Sequence, residues 1–320
     1  DGSYEKQSGY ITDLLNDLAI QFIDKPRSKP FSLFFAHKAV HPDAVQAADG
    51  TLQLTGYRPA ERHRDLYQGC FFPKYPNMLP PAEVVKRKPA WADAFELKKS
   101  DKSKALLDAL HAGGQEEIRL RAAMMASVDE GIGCIFEALG RSRQLDSTMI
   151  VFLGDNGYFF GEHGLGPERR FAYEAGIRSP FVVRFPPLIE KNTRKKELVI
   201  CQDIAPTLIE LAGGKPGPQV QGRSLVPLFN EGKKKDKKIN INRKKKSWRH
   251  SFLVEYWAEQ ALPWLVGMTY KAVRTDRYKL IHWVNRGKAG ELDELYDLEK
   301  DPWELKNLIA SRAHAPVRER

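Results

Sequence analysis

A helix-type pattern of apolar residues runs directly into a strand-type run in the middle of the chain. Residues 116–139 repeat apolar side chains every three or four positions, the pattern ends near Gly140, and the short apolar run "MIVFLG" (149–154) follows. This spacing predicts an amphipathic helix, and the run that follows predicts a short buried strand. A helix followed at once by a buried strand is typical of a layered α/β domain.

The same alternation occurs on both sides of this unit. Residues 10–25 have helical spacing and precede the apolar run "FSLFFAH" (31–37), while "PFVVRF" (180–185) precedes a helix pattern at 201–214. Strands that alternate with helices predict an α/β fold with a central, mostly parallel sheet between helices. Only three such strands precede residue 215, whereas an average sheet has about five or six. We therefore expect this sheet to be incomplete within the chain.

The pattern changes in the last quarter of the chain. Short apolar runs lie at 251–257, 270–275, 278–284 and 294–298, with turn-length spacing between several of them, and "DPWELKNLI" (301–309) has a proline at a helix-start position. These runs predict a small antiparallel α+β domain that ends in a helix.

Most of the positive charge is confined to one segment. The formal net charge is +10, and "KKKDKKININRKKK" (233–246) accounts for +8 of it. Such a run is typical of a solvated linker, so we predict a partial catalytic domain at 1–230, a basic linker at 231–247 and a C-terminal subdomain at 248–320. The run has no aromatic residues to stack on bases, which argues against a nucleic-acid partner. No window of 18 apolar residues occurs, so no membrane span is predicted.

Asp155 and Asn156 follow the strand-like run at 149–154, within a segment that holds five glycines and a histidine. Ligands in open α/β sheets bind beyond the carboxyl ends of strands, which is the position of this pair. A carboxylate and an amide oxygen are hard donors that suit Ca²⁺ or Mg²⁺. "DNG" alone is also a common turn, so the pair predicts a metal site only together with its surroundings.

Three further residues are candidates for binding an anion. His41 follows the predicted strand at 31–37, and Arg169 and Arg170 come directly after the glycine-rich segment. A cation, an imidazole and an arginine at one sheet edge would hold a tetrahedral oxyanion through charge-assisted hydrogen bonds. Each residue alone is more often a packing or solvated residue.

Several motifs in series resemble the sulfatases of the alkaline-phosphatase superfamily. They are "VFLGDNGYFFGEHGL", "RFAYEAGIRSPFVVRFP", "DIAPTLIELAG", "AVRTDRYKLI" and "ELYDLEKDPWELKNL". "RHRDLY" and "PNMLPP" are similar to bacterial mucin-desulfating and N-acetylglucosamine-6-sulfatase-like members. The resemblance implies an alkaline-phosphatase-like fold and a sulfuric ester hydrolase that acts on a sulfated carbohydrate and is exported from the cell.

The resemblance also implies roles for individual residues. Asp155 and Asn156 match the pair that binds the catalytic Ca²⁺, and His41 matches the histidine that contacts the sulfate ester and assists the leaving group. Arg169 occupies the position where the family usually has a sulfate-binding lysine, and Arg170 is the alternative.

The roles of three more residues in the matching segments are not decided by the resemblance. His163 is either a substrate contact or a structural residue of its loop, and Glu174 and Arg178 are expected to form a structural ion pair or cap.

The nucleophile that the resemblance implies is absent from this sequence. Family members use a formylglycine made from Cys or Ser in a Cys/Ser-x-Pro-x-Arg motif, and none of the three cysteines and no serine here starts that motif. We therefore expect the chain to be the C-terminal portion of a sulfatase, without the formylglycine segment and inactive by itself. A signal peptide cannot be observed in it.

Two alternatives to a sulfatase stay open from the sequence. One is a phosphodiesterase or phosphonate hydrolase of the same superfamily, and the other is a non-catalytic protein that binds sulfated glycans. Trp257 and Trp264 are either sugar-stacking residues or core residues. The sequence indicates no particular oligomeric state.

Overall fold

The computed structural model describes residues 7–46, 52–88, 90, 114–166, 168–229, 247–257, 268–284 and 292–319. The chain divides into two compact units, one formed by residues 1–74 and 113–148 and the other by residues 75–112 and 149–320.

The described residues form both helices and short strands. Helices α1 to α7 span Ile11–Asp24, Pro81–Arg87, Gln115–Arg141, Glu174–Ile177, Ile204–Leu211, Val226–Phe229 and Ala315–Arg318. Strands β1 to β8 span Asp43–Gln46, Leu52–Gly56, Ile150–Leu153, Phe181–Arg184, Ser251–Tyr256, Thr269–Thr275, Tyr278–Val284 and Glu294–Asp297. Single 3-10 turns lie at Glu61–His63, Glu162–Gly164, Cys201–Asp203 and Arg312–His314. No described helix is both long and apolar enough to cross a membrane.

The first unit is built on the packing of α1 against α3, which confirms both helices predicted from apolar spacing. The two backbones approach closely at Gly131, where a side chain would meet the Asn16 amide at 2.1 Å. Asn16 Nδ2 donates a 3.2 Å hydrogen bond to the Ser127 carbonyl oxygen at the same crossing. A short antiparallel pair, β1 with β2, belongs to this unit.

The buried strand predicted at residues 31–37 is not formed. These residues form neither strand nor helix, and Phe34 is 94% exposed. A strand needs a partner for its backbone groups, and no described strand pairs with this segment. The prediction relied on apolar composition alone, which cannot supply that partner.

In the second unit, β3 and β4 confirm two predicted strands, and they pair antiparallel, with Ile150 opposite Arg184 and Leu153 opposite Phe181. The expected parallel pairing is therefore not seen among the described strands. A parallel pair needs a crossover long enough to return the chain to the same end of the sheet. The connection of residues 154–180 is long enough for such a crossover, so its length does not decide the pairing; it contains a 3-10 turn and the one-turn helix α4 and reverses the direction of the chain.

The C-terminal sheet has the order β5-β6-β7-β8 and every neighbouring pair is antiparallel, as predicted. Its inner face shares a core with residues from the glycine-rich segment and from "RFAYEAG", including Phe159, Phe171 and Tyr173. Ile281 and Trp283 alternate into this core from β7. The sheet therefore supports the segment that follows Asp155.

The helix predicted at 301–309 is replaced by turns. Glu304 has a φ of 55°, which no right-handed helix accommodates, and buried contacts hold it there.

The segment at 74–104 is partly internal, since Val84 in α2 and Lys88 directly after it are at most 1% exposed. Residues 89 and 91–104 lie outside the described residues, as do residues 231–246 of the basic linker and Trp264. The domain boundaries at 230 and 248 stay predictions.

Candidate metal and anion site

Asp155 and Asn156 lie in the turn directly after β3, where the sequence places them. Gly154 donates its backbone N–H to the Pro180 carbonyl at 3.0 Å, and Gly157 donates to the Gly176 carbonyl at 2.9 Å. Only glycine fits at 157, because a Cβ there would lie 2.0 Å from the Ala175 carbonyl oxygen. The pair is thus held on a turn whose flanking backbone is fixed on both sides.

The two side chains present oxygen atoms at this turn. Asp155 Oδ1 accepts the Asn156 backbone N–H at 2.9 Å, and Asn156 Nδ2 donates to the Gly157 carbonyl at 2.7 Å. These bonds leave the amide oxygen of Asn156 and the second carboxylate oxygen of exposed Asp155 for an ion. Hard oxygen donors fit Ca²⁺, which takes about six to eight of them. Within the described residues no cluster of three His, Cys, Asp or Glu side chains completes such a shell.

Arg169 and Arg170 have different surroundings. Both backbone N–H groups donate to Oε1 of Glu168, at 2.7 and 2.9 Å, and this carboxylate is 1% exposed. Arg170 also pairs its guanidinium with Glu168 at 3.2 Å. The guanidinium of half-buried Arg169 has no hydrogen-bond or ion-pair partner among the described residues. Of the two, Arg169 is the one available for an external anion.

His163 is fully buried, which favours its structural alternative over contact with a substrate. Its ring stacks on Tyr173 with centroids 4.1 Å apart, and its Nε2 lies 3.3 Å from Nδ2 of Asn77 and 3.6 Å from Oε2 of Glu304. Burial and the nearby charge of Lys88 lower the pKa of His163 to about 4. The ring is therefore neutral at physiological pH.

His41 belongs to the first unit, where it lies in an exposed turn. Its backbone N–H donates to the Lys38 carbonyl at 3.1 Å, and its Nδ1 lies 2.8 Å from the carbonyl oxygen of Pro42. That contact holds Nδ1, so Nε2 is the ring nitrogen left for another partner. The catalytic role of His41 stays a prediction.

A buried ion network was missed from the sequence, and it contains Lys88, Lys279, Glu174, Glu294 and Glu304. Lys279 Nζ lies 2.6 Å from Glu304 Oε1 and 2.8 Å from Glu174 Oε1. Lys88 Nζ lies 3.3 Å from Glu294 Oε2. Burial raises the pKa of Glu304, but Lys279 and His163 outweigh it and bring that pKa to about 2. Burial lowers the pKa of Lys88.

The network fixes the start of α4. Glu304 Oε2 accepts the backbone N–H of Glu174 at 2.8 Å, and Tyr173 donates its hydroxyl to Glu294 at 2.9 Å. The expected ion-pair role of Glu174 is confirmed, although its partners are Lys279 and Arg274 rather than Arg178. Because α4 contacts Gly157, the network supports the turn that carries Asp155 and Asn156.

One signal for the network was present in the sequence. Lys279 is two and four residues before Ile281 and Trp283 in β7, so strand alternation puts it on the same buried face. No local pattern could have connected it to Lys88 or Glu304, because those contacts depend on the tertiary fold.

Two family models match the chain. The model described as sulfatase matches residues 2–214, and the model described as the C-terminal part of N-sulphoglucosamine sulphohydrolase matches residues 161–320.

Curated relatives are similar along nearly the whole chain. An N-acetylglucosamine-6-O-sulfatase of Bacteroides thetaiotaomicron is 28% identical over 371 residues, covering 98% of this chain and 60% of that protein. An arylsulfatase of Volvox carteri is 30% identical over 332 residues, covering 97% of this chain and 49% of that protein. The chain therefore spans about half to three fifths of the length of these relatives.

Solved structures share the fold. One is of a protein in complex with its substrate D-glucosamine-2-N,6-O-disulfate, with a TM-score of 0.74 at 24% identity, covering 100% of this chain and 69% of that chain. Another is a phosphonate monoester hydrolase of Agrobacterium radiobacter, with a TM-score of 0.59 at 21% identity, covering 81% of this chain and 51% of that chain. The expected alkaline-phosphatase-like α/β fold is confirmed by such likenesses.

Proposed function

The chain belongs to the sulfatase family, and from this premise we propose that its gene product is a sulfuric ester hydrolase that releases sulfate from a sulfated glycan. The observation that carries the proposal is the pair of hard oxygen donors at the end of β3, in a unit that also holds the unpaired guanidinium of Arg169. A cation site and a free guanidinium suit a tetrahedral oxyanion ester.

Asp155 and Asn156 would bind Ca²⁺ through their free oxygens. The bound ion would act as a Lewis acid toward a sulfate oxygen. The remaining ligands are assigned to no described residue of this chain. The fixed backbone of Gly154 and Gly157 keeps the two oxygens in place before the ion binds, which reduces the ordering cost of binding.

Arg169 would donate hydrogen bonds to the sulfate oxygens and offset the charge that develops on them. His41 would donate a proton from Nε2 to the bridging oxygen as the alcohol leaves. The nucleophile is assigned to no residue here, because no Cys or Ser starts the formylglycine motif.

We infer that the substrate contains a sulfated amino sugar. A relative is an N-acetylglucosamine-6-O-sulfatase, and a protein with the same fold was solved with D-glucosamine-2-N,6-O-disulfate. A relative from Caenorhabditis elegans, named a homolog of extracellular sulfatase Sulf-1, supports export of the gene product.

A phosphonate hydrolase is the second candidate, supported by the likeness of fold to such an enzyme. Asn156 argues against it, because the corresponding enzymes commonly have Asp-His and bind borderline metals at this position. The gene product should hydrolyse an aryl sulfate faster than an aryl phosphodiester, and the reverse order would favour the phosphonate hydrolase.

The first test reads the coding sequence upstream of the Asp1 codon. An in-frame Cys/Ser-x-Pro-x-Arg after a pair of aspartates supports the hydrolase, and release of inorganic sulfate by the complete gene product then completes the test. An intact frame without this motif would contradict it. Binding of sulfated glycans without sulfate release would instead support the non-catalytic alternative.

A further inference from the structure

A cleft of about 370 Å³ lies in the second unit and has no role in the function proposed above. It is lined by Tyr75, Asn77, Glu162, Glu174, Ala175, Arg178, Ser179, Pro180, Pro302, Trp303 and Glu304. This volume lies within the range of small-molecule sites, which combine apolar walls with a few convergent polar groups.

Two aromatic side chains form one wall of the cleft. The rings of Tyr75 and Trp303 stack with centroids 5.1 Å apart and an interplanar angle of 24°. The two residues are 45% and 36% exposed, so ring surface remains in contact with solvent. A flat, rigid and partly polar aromatic wall suits the C–H face of a sugar ring, which is apolar although its hydroxyl edge is polar.

The charges that line the cleft leave one cation without compensation. Glu174 and Glu304 are both paired with Lys279. Exposed Arg178 has no hydrogen-bond or ion-pair partner among the described residues, and the fork of its guanidinium matches sulfate and carboxylate.

The remaining carboxylate of the lining, Glu162, is bonded to the backbone of its own loop. Its Oε2 accepts the Phe160 backbone N–H at 2.5 Å, and burial raises its pKa. With the other two carboxylates paired and Glu162 bonded to a backbone N–H, Arg178 is the cation of this lining that can bind an anionic group.

A buried polar atom in the lining also lacks a partner. Asn77 is 4% exposed, and its side-chain oxygen accepts no hydrogen bond from any described residue. Buried polar groups are nearly always paired in folded proteins, so an orphaned oxygen in a cleft wall is a site for a hydroxyl donor.

The cleft adjoins the turn of the candidate metal site. Arg178, Ser179 and Pro180 form part of its lining, and the Pro180 carbonyl accepts the backbone N–H of Gly154, next to Asp155. A chain of sugars is long enough to contact both places at once.

We propose that this cleft is a second carbohydrate subsite, in which the outer face of the stacked Tyr75–Trp303 pair contacts a sugar ring and Arg178 binds its sulfate or carboxylate. The inference rests on the proposed function for its ligand class, an anionic glycan. It requires no catalysis by this chain.

The test is calorimetric titration of the complete gene product with a sulfated, glucosamine-containing tetrasaccharide. A desulfated, carboxyl-reduced counterpart is the second probe, and chelator is present throughout to remove any contribution of a metal at Asp155. We expect Trp303→Ala and Tyr75→Ala to weaken binding of both probes at least tenfold, and Trp303→Phe to restore most of the affinity. Arg178→Gln should weaken binding of the sulfated probe alone.

Trp257→Ala tests the other candidate sugar-stacking residue, because Trp257 is not a core residue but an exposed tryptophan (65%) of the same unit outside the cleft. Its affinity should equal that of the unmodified gene product. Loss of binding with Trp257→Ala but not with Trp303→Ala would overturn the proposal, as would absence of binding to the unmodified gene product. The hydrolase proposal can fail independently, since it is decided by the upstream motif and sulfate release.

Discussion

Lys279 and Glu304 form an ion pair with 2.6 Å between Nζ and Oε1, and neither side chain is more than 1% exposed. Both groups have lost their hydration, so each depends on the other and on the neighbouring carboxylate of Glu174 for compensation. The pair joins the C-terminal sheet to the turn at 301–304 and, through Glu174, to α4.

Removing the cation should therefore be strongly destabilising. We expect Lys279→Met to lower the free energy of unfolding by about 3–5 kcal/mol, because it leaves the buried carboxylate of Glu304 without its lysine and Glu174 with Arg274 alone. Urea unfolding measures the change. The matched control is Lys271→Met on β6, whose pair with Glu255 is 49% and 37% exposed and should contribute about 0–1 kcal/mol. Equal effects of the two substitutions would contradict a stabilising network.

The buried ring of His163 should make stability depend on pH. Its folded pKa of about 4 lies below the ordinary 6.5, so between these values the unfolded state binds a proton that the folded state does not. The contribution of His163 to the free energy of unfolding is therefore fully present above pH 6.5. It falls by about 3 kcal/mol as the pH drops to 4.

His163→Asn should flatten the profile in this range, because the amide does not titrate and asparagine tolerates the φ of 56° at this position. Urea unfolding at a series of pH values compares this variant with the unmodified chain. An unchanged slope in His163→Asn would refute the assignment.

A methyl group at Gly157 should disturb the metal turn. Gly157→Ala would place Cβ 2.0 Å from the Ala175 carbonyl and 2.7 Å from the Arg178 carbonyl, and neither backbone oxygen can rotate away. We expect a loss of about 3 kcal/mol or more in unfolding free energy, in the range of overpacked sites. Gly133→Ala in α3, where a Cβ meets nothing within 4 Å, should instead stabilise by about 0.5–1 kcal/mol.

The ion pair between Arg249 and Asp203 should depend on the guanidinium group of Arg249. Both bonds measure 2.7 Å, and Asp203 is fully buried. Arg249→Lys keeps the charge but loses the bidentate geometry, so we expect a loss of about 2–3 kcal/mol. Arg277→Lys changes a pair that is bidentate but 40% exposed on the arginine side, and thermal unfolding should show a smaller shift. A larger shift for Arg277→Lys would contradict this.

Arg169 and Arg170 should differ in the complete gene product. Arg169→Gln is expected to lower kcat/KM for sulfate release about 10²-fold or more, and Arg169→Lys less, because a charge that contacts the transferring group is lost only in the first. Arg170→Gln should lower the melting temperature through its bond to Glu168. If only Arg170→Gln lowered the rate, Arg170 rather than Arg169 would be the residue that contacts the sulfate.

The elements that followed from sequence are those with strong periodicity. α1, α3 and the first three strands of the C-terminal sheet each have a spacing of apolar residues that one face of the element explains, whereas β8 is buried at all four positions. The existence of β3 and β4 was predicted too, but their antiparallel pairing depends on the path of the connection through α4, which periodicity does not encode.

The predictions that were wrong or undecided share a different cause, which is their dependence on tertiary contacts. Residues 31–37 have strand-like composition and no described pairing partner, so exposed Phe34 lies where a buried residue was expected. At Glu304, tertiary bonds to Lys279 and to the backbone of Glu174 override a helix start at Pro302. His163 was recognised as notable, but only the fold shows that Tyr173 and Asn77 enclose it.

The contact of Gly157 with residues 175–178 has a mechanical consequence. A side chain between two segments can rotate and absorb a displacement, but here the backbone of one turn lies directly against the carbonyl groups of another. No side chain at this contact can rotate to make room. A displacement of the turn of Asp155 and Asn156 is therefore expected to displace the backbone of the cleft wall at Arg178 as well.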